Sequence, residues 1–148
     1  MKKILVTFVA ILILLCGCQA NENTNATDYG DTISKAQEIA VISPDTAEVI
    51  NTMTDTEEIE DFVSALNIDQ WELKSLPEEA SEIGAFGFAQ EKTIKLGQTD
   101  PDGTLYDVAT ITLYSGSYIG IEICGLDGLD MTFAVSEDTA DYLNGYFE

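Results

Sequence analysis

The sequence predicts a single α+β domain in which two helices pack on one face of an antiparallel sheet. Several segments alternate apolar and polar residues with a period of two and are separated by turn residues, whereas two other segments have helical periodicity. No repeated strand–helix alternation suggests a parallel sheet. Of the 148 residues, 45% are hydrophobic, which is sufficient for a packed core. We expect the domain to occupy residues 35–148.

The domain is predicted to begin with a hairpin followed by a helix. Two apolar segments at about 37–42 and 47–53 are separated by the turn sequence Ser43-Pro44-Asp45-Thr46. Apolar residues then recur at i, i+3, i+4 and i+7, the spacing of one helix face: Ile59, Phe62, Val63 and Leu66. Either Thr54 or Asp55 can cap this helix, because an acid follows each of them three residues later.

An antiparallel meander and a closing helix are predicted for the remainder of the chain. Strands are expected at 71–76, 83–90, 105–114, 118–124 and 129–135, and a return strand is also expected at 93–96. Turn residues separate them at 100–103, 115–116 and 127–128. Ser136 is positioned to cap a final helix whose apolar side carries Tyr142, Leu143, Tyr146 and Phe147.

The composition excludes several classes of function. The chain contains 27 acidic residues, six lysines, no arginine and no histidine. Without histidine, Ser-His-Asp and Cys-His catalysis lack their base, and zinc lacks its usual ligand. A formal charge of −21 repels nucleic acid. The segment 98–103 resembles part of a calcium-binding loop but lacks the bidentate glutamate, so we expect a plain turn there, and we expect no cofactor and no metal site.

The N-terminus has the pattern of an export signal. Lys2 and Lys3 precede a short apolar segment at 4–15, which is too short to span a bilayer. It ends in Leu15-Cys16-Gly17-Cys18, which resembles the lipobox of bacterial lipoproteins. That resemblance implies cleavage after residue 17 and a diacylglyceryl group on the sulfur of Cys18, with Leu15, Cys16 and Gly17 recognised by the peptidase. The alternative is an ordinary secretory signal that is cleaved a few residues later.

The expected mature protein is attached to the outer surface of the cell membrane. Two acyl chains hold a protein on a membrane where one is marginal. Residues 18–34 are polar and aperiodic, so we expect a flexible tether between the lipid and the domain. The segments 53–66, 71–76 and 142–147 are similar to small uncharacterised lipoproteins of Gram-positive bacteria, a resemblance that implies no activity.

A binding surface is predicted on the sheet face that points away from the core. Tyr106, Tyr114 and Tyr118 have the parity opposite to the apolar residues of their strands, so we expect them to be exposed. The leading hypothesis is therefore a non-enzymatic module that binds a protein, a peptide or an envelope polymer. Two alternatives remain open. One is an inhibitor or sensor that docks a protein, and the other is a hydrolase of envelope glycans that uses paired carboxylates, such as Asp127 with Asp130 or the group Glu78, Glu79 and Glu82.

Overall fold

The computed structural model describes residues 27–92, 103–125 and 130–148 and confirms the α+β class. Seven strands form one sheet, and three helices accompany it. In chain order the elements are α1 (Thr27–Ile33), β1 (Glu38–Ile42), β2 (Val49–Met53), α2 (Thr56–Ala65), β3 (Glu72–Leu73), β4 (Glu82–Glu91), β5 (Leu105–Tyr114), β6 (Tyr118–Ile123), β7 (Met131–Ala134) and α3 (Glu137–Asn144).

The sheet is antiparallel throughout, with the strand order β2-β1-β4-β5-β6-β7-β3. The predicted N-terminal hairpin is confirmed and lies at one edge, where β1 also pairs with β4. The predicted meander is confirmed for β5, β6 and β7. The predicted strand at 71–76 is reduced to the two residues of β3, which pair with β7 at the opposite edge.

One hydrophobic core lies between the helices and one face of the sheet. Alternate residues of the central strands supply large side chains to it, and all three helices contribute to the same cluster. Phe62 of α2 is fully buried, and its ring centre lies 5.0 Å from that of Phe86 and 6.2 Å from that of Phe88. The helices therefore cover one face of the sheet, as the sequence predicted.

Both predicted helices begin where their capping residues indicate. Asp55 caps α2, because its Oδ1 accepts hydrogen bonds from the backbone N–H groups of Glu57 and Glu58 at 3.0 and 3.2 Å. Ser136 caps α3 through a hydrogen bond that its Oγ accepts from the N–H of Thr139 at 3.2 Å. Of the two residues proposed to cap the first helix, Asp55 is thus the one used.

Helix α1 corrects the predicted boundary between tether and domain. Residues 18–34 were expected to form a flexible tether, but Thr27–Ile33 is helical and delivers Tyr29 and Ile33 to the core. Ile33 is fully buried. Only these two apolar residues recur at helical spacing within a polar segment that also contains Gly30, so the sequence pattern was too weak to indicate a helix. The domain therefore begins before residue 35.

The segment after α2 shows why β3 is shorter than the strand predicted at 71–76. Trp71 follows a 3₁₀ turn at Ile68–Gln70 and is buried, with its Nε1–H donating to the carbonyl oxygen of Leu66 at 2.7 Å. This bond fixes the indole against the end of α2 rather than within a strand. The proposed strand at 93–96, residues 100–102 of the predicted turn at 100–103, and the turn at 127–128 lie outside the described residues.

Candidate functional site

The face of the sheet opposite the helices is lined by small side chains. The cross-strand pairs place Ala85 beside Thr112, Thr112 beside Gly120, and Gly120 beside Thr132 in one row across four strands. Ala85 and its strand neighbour Ala89 are buried but do not belong to the hydrophobic core cluster. Within the described parts of the chain, no helix packs over this row. We call this surface the open face.

Tyr114 and Tyr118 lie together at one end of the open face. They form a direct cross-strand pair between β5 and β6 and flank the three-residue turn 115–117. Gly116 and Ser117 both have positive φ, +80° and +64°, which lets the chain reverse within this short loop. Both tyrosines are half-buried. The structure therefore brings two of the three predicted tyrosines into one surface.

Gly120 allows the ring of Tyr114 to lie close to the sheet. A Cβ at residue 120 would lie 3.2 Å from Cε2 of Tyr114, which is too close for the ring to keep its position. The aromatic ring therefore occupies the space that a side chain at residue 120 would fill. In this arrangement an aromatic neighbour covers a strand glycine. In the sequence Gly120 is only one member of an alternating apolar and polar pattern, because cross-strand packing is not visible along the chain.

A groove of about 260 Å³ runs over this glycine. Tyr114 lines it together with Thr112 and Thr132, whose short side chains flank Gly120, and the two acidic residues Glu122 and Asp130 also belong to its lining. Apart from Tyr114 and Asp130, none of these residues stood out in the sequence. The paired register of β5, β6 and β7 is what assembles them.

Negative charge surrounds Tyr114. Burial raises the pKa of the phenol, the carboxylates of Glu82 and then Asp130 raise it further, and a hydrogen bond with Thr112 lowers it. Since the net effect is a raised pKa, Tyr114 remains a neutral phenol at physiological pH. The ring therefore offers an uncharged aromatic surface close to carboxylates.

Tyr118 has a cation beside it. The Nζ of Lys74 lies 5.8 Å from the centre of the Tyr118 ring, within the range of a cation–π interaction. Lys74 is held there by its backbone, which donates to the carbonyl oxygen of Thr132 at 3.0 Å and accepts from the Thr132 hydroxyl at 2.6 Å. Thus one tyrosine of the pair already contacts an ammonium group of the same chain.

Tyr106 does not join this surface. It lies eight residues before Tyr114 on β5, about 27 Å away at the usual rise of a strand. The register also shifts between them, because Phe88 pairs with Ala109 and Ala89 with Asp107, leaving Val108 without a partner in the pairing. This extra residue breaks the alternation on which the parity argument depended. Tyr106 is exposed, and its ring centre lies 4.4 Å from Nζ of Lys92.

Among the residues that the structure describes, no buried acid pair is brought together for glycoside hydrolysis. None of the Asp and Glu side chains that the structure describes is buried. Glu78, Glu79, Glu82 and Asp130 are all exposed, and Asp127 lies outside the described residues. A general acid for this reaction needs an environment that favours its protonated form, which burial usually provides. No observation in the described part of the chain favours the hydrolase.

Cys124 follows β6 and is exposed. Partial burial of its thiol raises its pKa first, and the carboxylates of Asp107 and Glu122 raise it further. A nucleophilic cysteine requires the opposite shift, toward the thiolate. Because Cys124 ends an alternating apolar run, the sequence predicts a buried thiol, but the structure leaves it exposed in the turn beyond the end of its strand.

The predicted lipidation site lies outside the described residues, as do Leu15, Cys16 and Gly17 beside Cys18. In the part of the chain that is described, no helix has the length and apolar character needed to cross a membrane. Comparison with known proteins yields no matching family model, no matching curated protein and no matching solved structure. The functional argument therefore depends on the residues and the geometry of this chain.

Proposed function

We propose that this chain is a lipid-anchored, extracytoplasmic, non-enzymatic binding module whose open face docks a protein, a peptide or an envelope polymer. One observation carries the docking proposal: the open face presents Tyr114 and Tyr118 beside a row of small residues, while the helices cover the other face. Tyrosine supplies a large contact area with few rotatable bonds and is enriched at interfaces.

The small side chains of the open face favour contact with a partner rather than solvation alone. Thr, Gly and Ala expose strand backbone to close approach, so a partner can lie flat on the surface with little reorganisation. Many solvent-facing sheets carry long charged side chains instead, and these must be ordered when a partner binds. An inhibitor or sensor that docks a protein would use this same surface.

The anchor proposal is supported by the sequence Leu15-Cys16-Gly17-Cys18 after a charged and apolar start. It is tested by labelling native cells with a radioactive fatty acid. We expect the Cys18→Ala variant to lose the label and to leave the membrane fraction. The matched variant Cys16→Ala should keep both properties, because a small residue at that position suits the signal pattern. Unchanged labelling of Cys18→Ala would refute the assignment.

Docking is tested by crosslinking in cells with a photoreactive amino acid at residue 132 of the full chain. We expect a discrete crosslinked product that is lost when Tyr114→Ala and Tyr118→Ala are combined. Tyr106→Ala is the matched control, because it also removes a tyrosine from β5 but lies outside the open-face groove. Equal crosslinking in the combined variant and in the control would contradict docking at this face.

A further inference from the structure

We propose that the groove between Tyr114, Glu122 and Asp130 receives the protonated amine of a lysine side chain from a basic polypeptide. This inference rests on the proposed docking function and specifies the chemistry of the partner. It follows from three features of the described residues: an aromatic wall, nearby negative charge, and a floor that a chain can approach closely.

The aromatic wall suits an ammonium group. The face of a tyrosine ring attracts a cation within about 6 Å of its centre, and the attraction grows when water is excluded. Tyr118 already shows this geometry, with the Lys74 ammonium 5.8 Å from its ring centre. Tyr114 is the paired residue on the adjacent strand, and no lysine is among the described residues that line its groove.

The charges around Tyr114 favour the same ligand. Glu122 and Asp130 line the groove, and Glu82 pairs with Tyr114 across β4 and β5. Among the described residues, no three side chains of the Asp, Glu or Cys type converge to hold a metal ion. Carboxylates that do not converge on one point lack the geometry to chelate a small ion, but they still attract an ammonium group that lies near them.

The shape of the floor favours a polypeptide over a free amine. Thr112, Gly120 and Thr132 form a cross-strand row beneath the groove, so the partner backbone can lie across the strands while its side chain enters beside Tyr114. A second copy of this chain is disfavoured, because each copy has a formal charge of −21. Charge complementarity therefore favours a basic polypeptide as the partner that occupies the groove.

The experiment uses the full chain in a neutral detergent at about 0.15 M salt, where charges more than about 8 Å apart are largely screened. Calorimetry compares a peptide of alternating lysine and threonine with one of threonine alone and with spermidine, a free polyamine. We expect the lysine peptide to bind more tightly than either. Tyr114→Leu, which keeps an apolar cover over Gly120, should weaken that binding by about threefold to thirtyfold.

The role of the carboxylates is separated from the general acidity of the protein by two matched double variants. Glu122→Gln with Asp130→Asn should weaken lysine-peptide binding by about twofold to tenfold. Glu60→Gln with Asp61→Asn makes the same chemical change on exposed residues of α2, and we expect less than about a twofold effect there. Thermal melts of all variants confirm that the fold is retained.

Each contrary result has a distinct meaning. Equal weakening by the two double variants, or a lysine peptide that binds no better than the threonine peptide, would overturn the inference. If the threonine peptide bound and Tyr114→Leu weakened it, docking would stand while the cationic chemistry failed. If spermidine bound as tightly as the lysine peptide, the inference that the amine comes from a polypeptide would be wrong. A dimer that Tyr114→Leu dissociates would overturn the choice of partner but leave docking in place.

Discussion

The two faces of the sheet are made of neighbouring residues on the same strands, yet their side chains differ in size and character. On β5 and β6, Ile111, Leu113 and Ile119 point into the core, whereas the residues between them, Thr112 and Gly120, form the open face. The covered face carries large apolar side chains that fill the space beneath the helices. The open face carries small side chains, with two tyrosines at one end. The core and the proposed docking surface are thus separated by the period-two geometry of a strand.

The largest expected difference between the faces is in the cost of losing a side chain. Phe62→Ala should lower the free energy of unfolding by about 3–5 kcal/mol, because it leaves a cavity beside Phe86 and Phe88. Thr112→Ala on the open face should change it by less than about 0.5 kcal/mol. Urea unfolding measures both. Similar losses in the two variants would contradict the assignment of the core to one face only.

Two glycines of β4 give a matched comparison of the faces. A Cβ at Gly84 would collide with the ring of Phe147, which itself packs on Phe86 with 5.2 Å between ring centres. A Cβ at Gly87 would make only an ordinary 3.5 Å contact with Cδ1 of Ile42. We therefore expect Gly84→Ala to cost about 1–3 kcal/mol of stability.

Gly87→Ala should be neutral or should stabilise by up to about 1 kcal/mol, because it reduces the entropy of the unfolded chain. Thermal unfolding of the two variants side by side measures the difference. A smaller loss for Gly84→Ala than for Gly87→Ala would show that Phe147 does not pack on the sheet as described.

Loss of the N-terminal cap of α2 should have a smaller effect on the free energy of unfolding. This effect measures how much the cap stabilises the helix that covers the sheet. Asp55→Ala removes the acceptor for two backbone N–H groups and should cost about 1 kcal/mol. Asp45→Ala, an exposed aspartate in the β1–β2 loop, is the control and should cost less than about 0.5 kcal/mol. Urea midpoints decide between them, and equal midpoints would mean that the cap contributes little.

The smallest predicted effect concerns negative charge at the end of β6. Because partial burial and then the nearby carboxylates raise the pKa of Cys124, its thiol stays protonated at a pH where an ordinary thiol begins to ionise. Alkylation requires the thiolate, so Asp107→Asn should speed labelling of Cys124 near pH 8 by about 1.5-fold to fivefold. Asp45→Asn should leave the rate unchanged. Mass spectrometry of the peptide containing Cys124 measures it, and a slower reaction would contradict the charge effect.

The sequence was informative where local periodicity and chemistry agree. The helix containing Phe62, the caps at Asp55 and Ser136, and the strands of the meander all follow from patterns within about ten residues. The Tyr114 and Tyr118 pair was also predictable, since a short turn between alternating strands places its flanking residues opposite each other.

Where a structure depended on distant contacts, the sequence was misleading or silent. Helix α1 has little apolar periodicity and is recognisable because the core buries Ile33. Tyr106 was grouped with the other tyrosines by a parity that an extra residue in β5 removes. The two carboxylates that line the groove, those of Glu122 and Asp130, come from separate segments, and only strand pairing assembles them.

The sequence by itself determined the fold class, the apolar positions of the main elements and the chemical character of an acidic chain without histidine or arginine, because these depend on residue type and near neighbours. The tertiary structure alone decided which tyrosines share a surface, which glycine receives an aromatic ring and which carboxylates lie beside it. These relations are set by register between strands, and register results from the packing of the whole sheet against its helices.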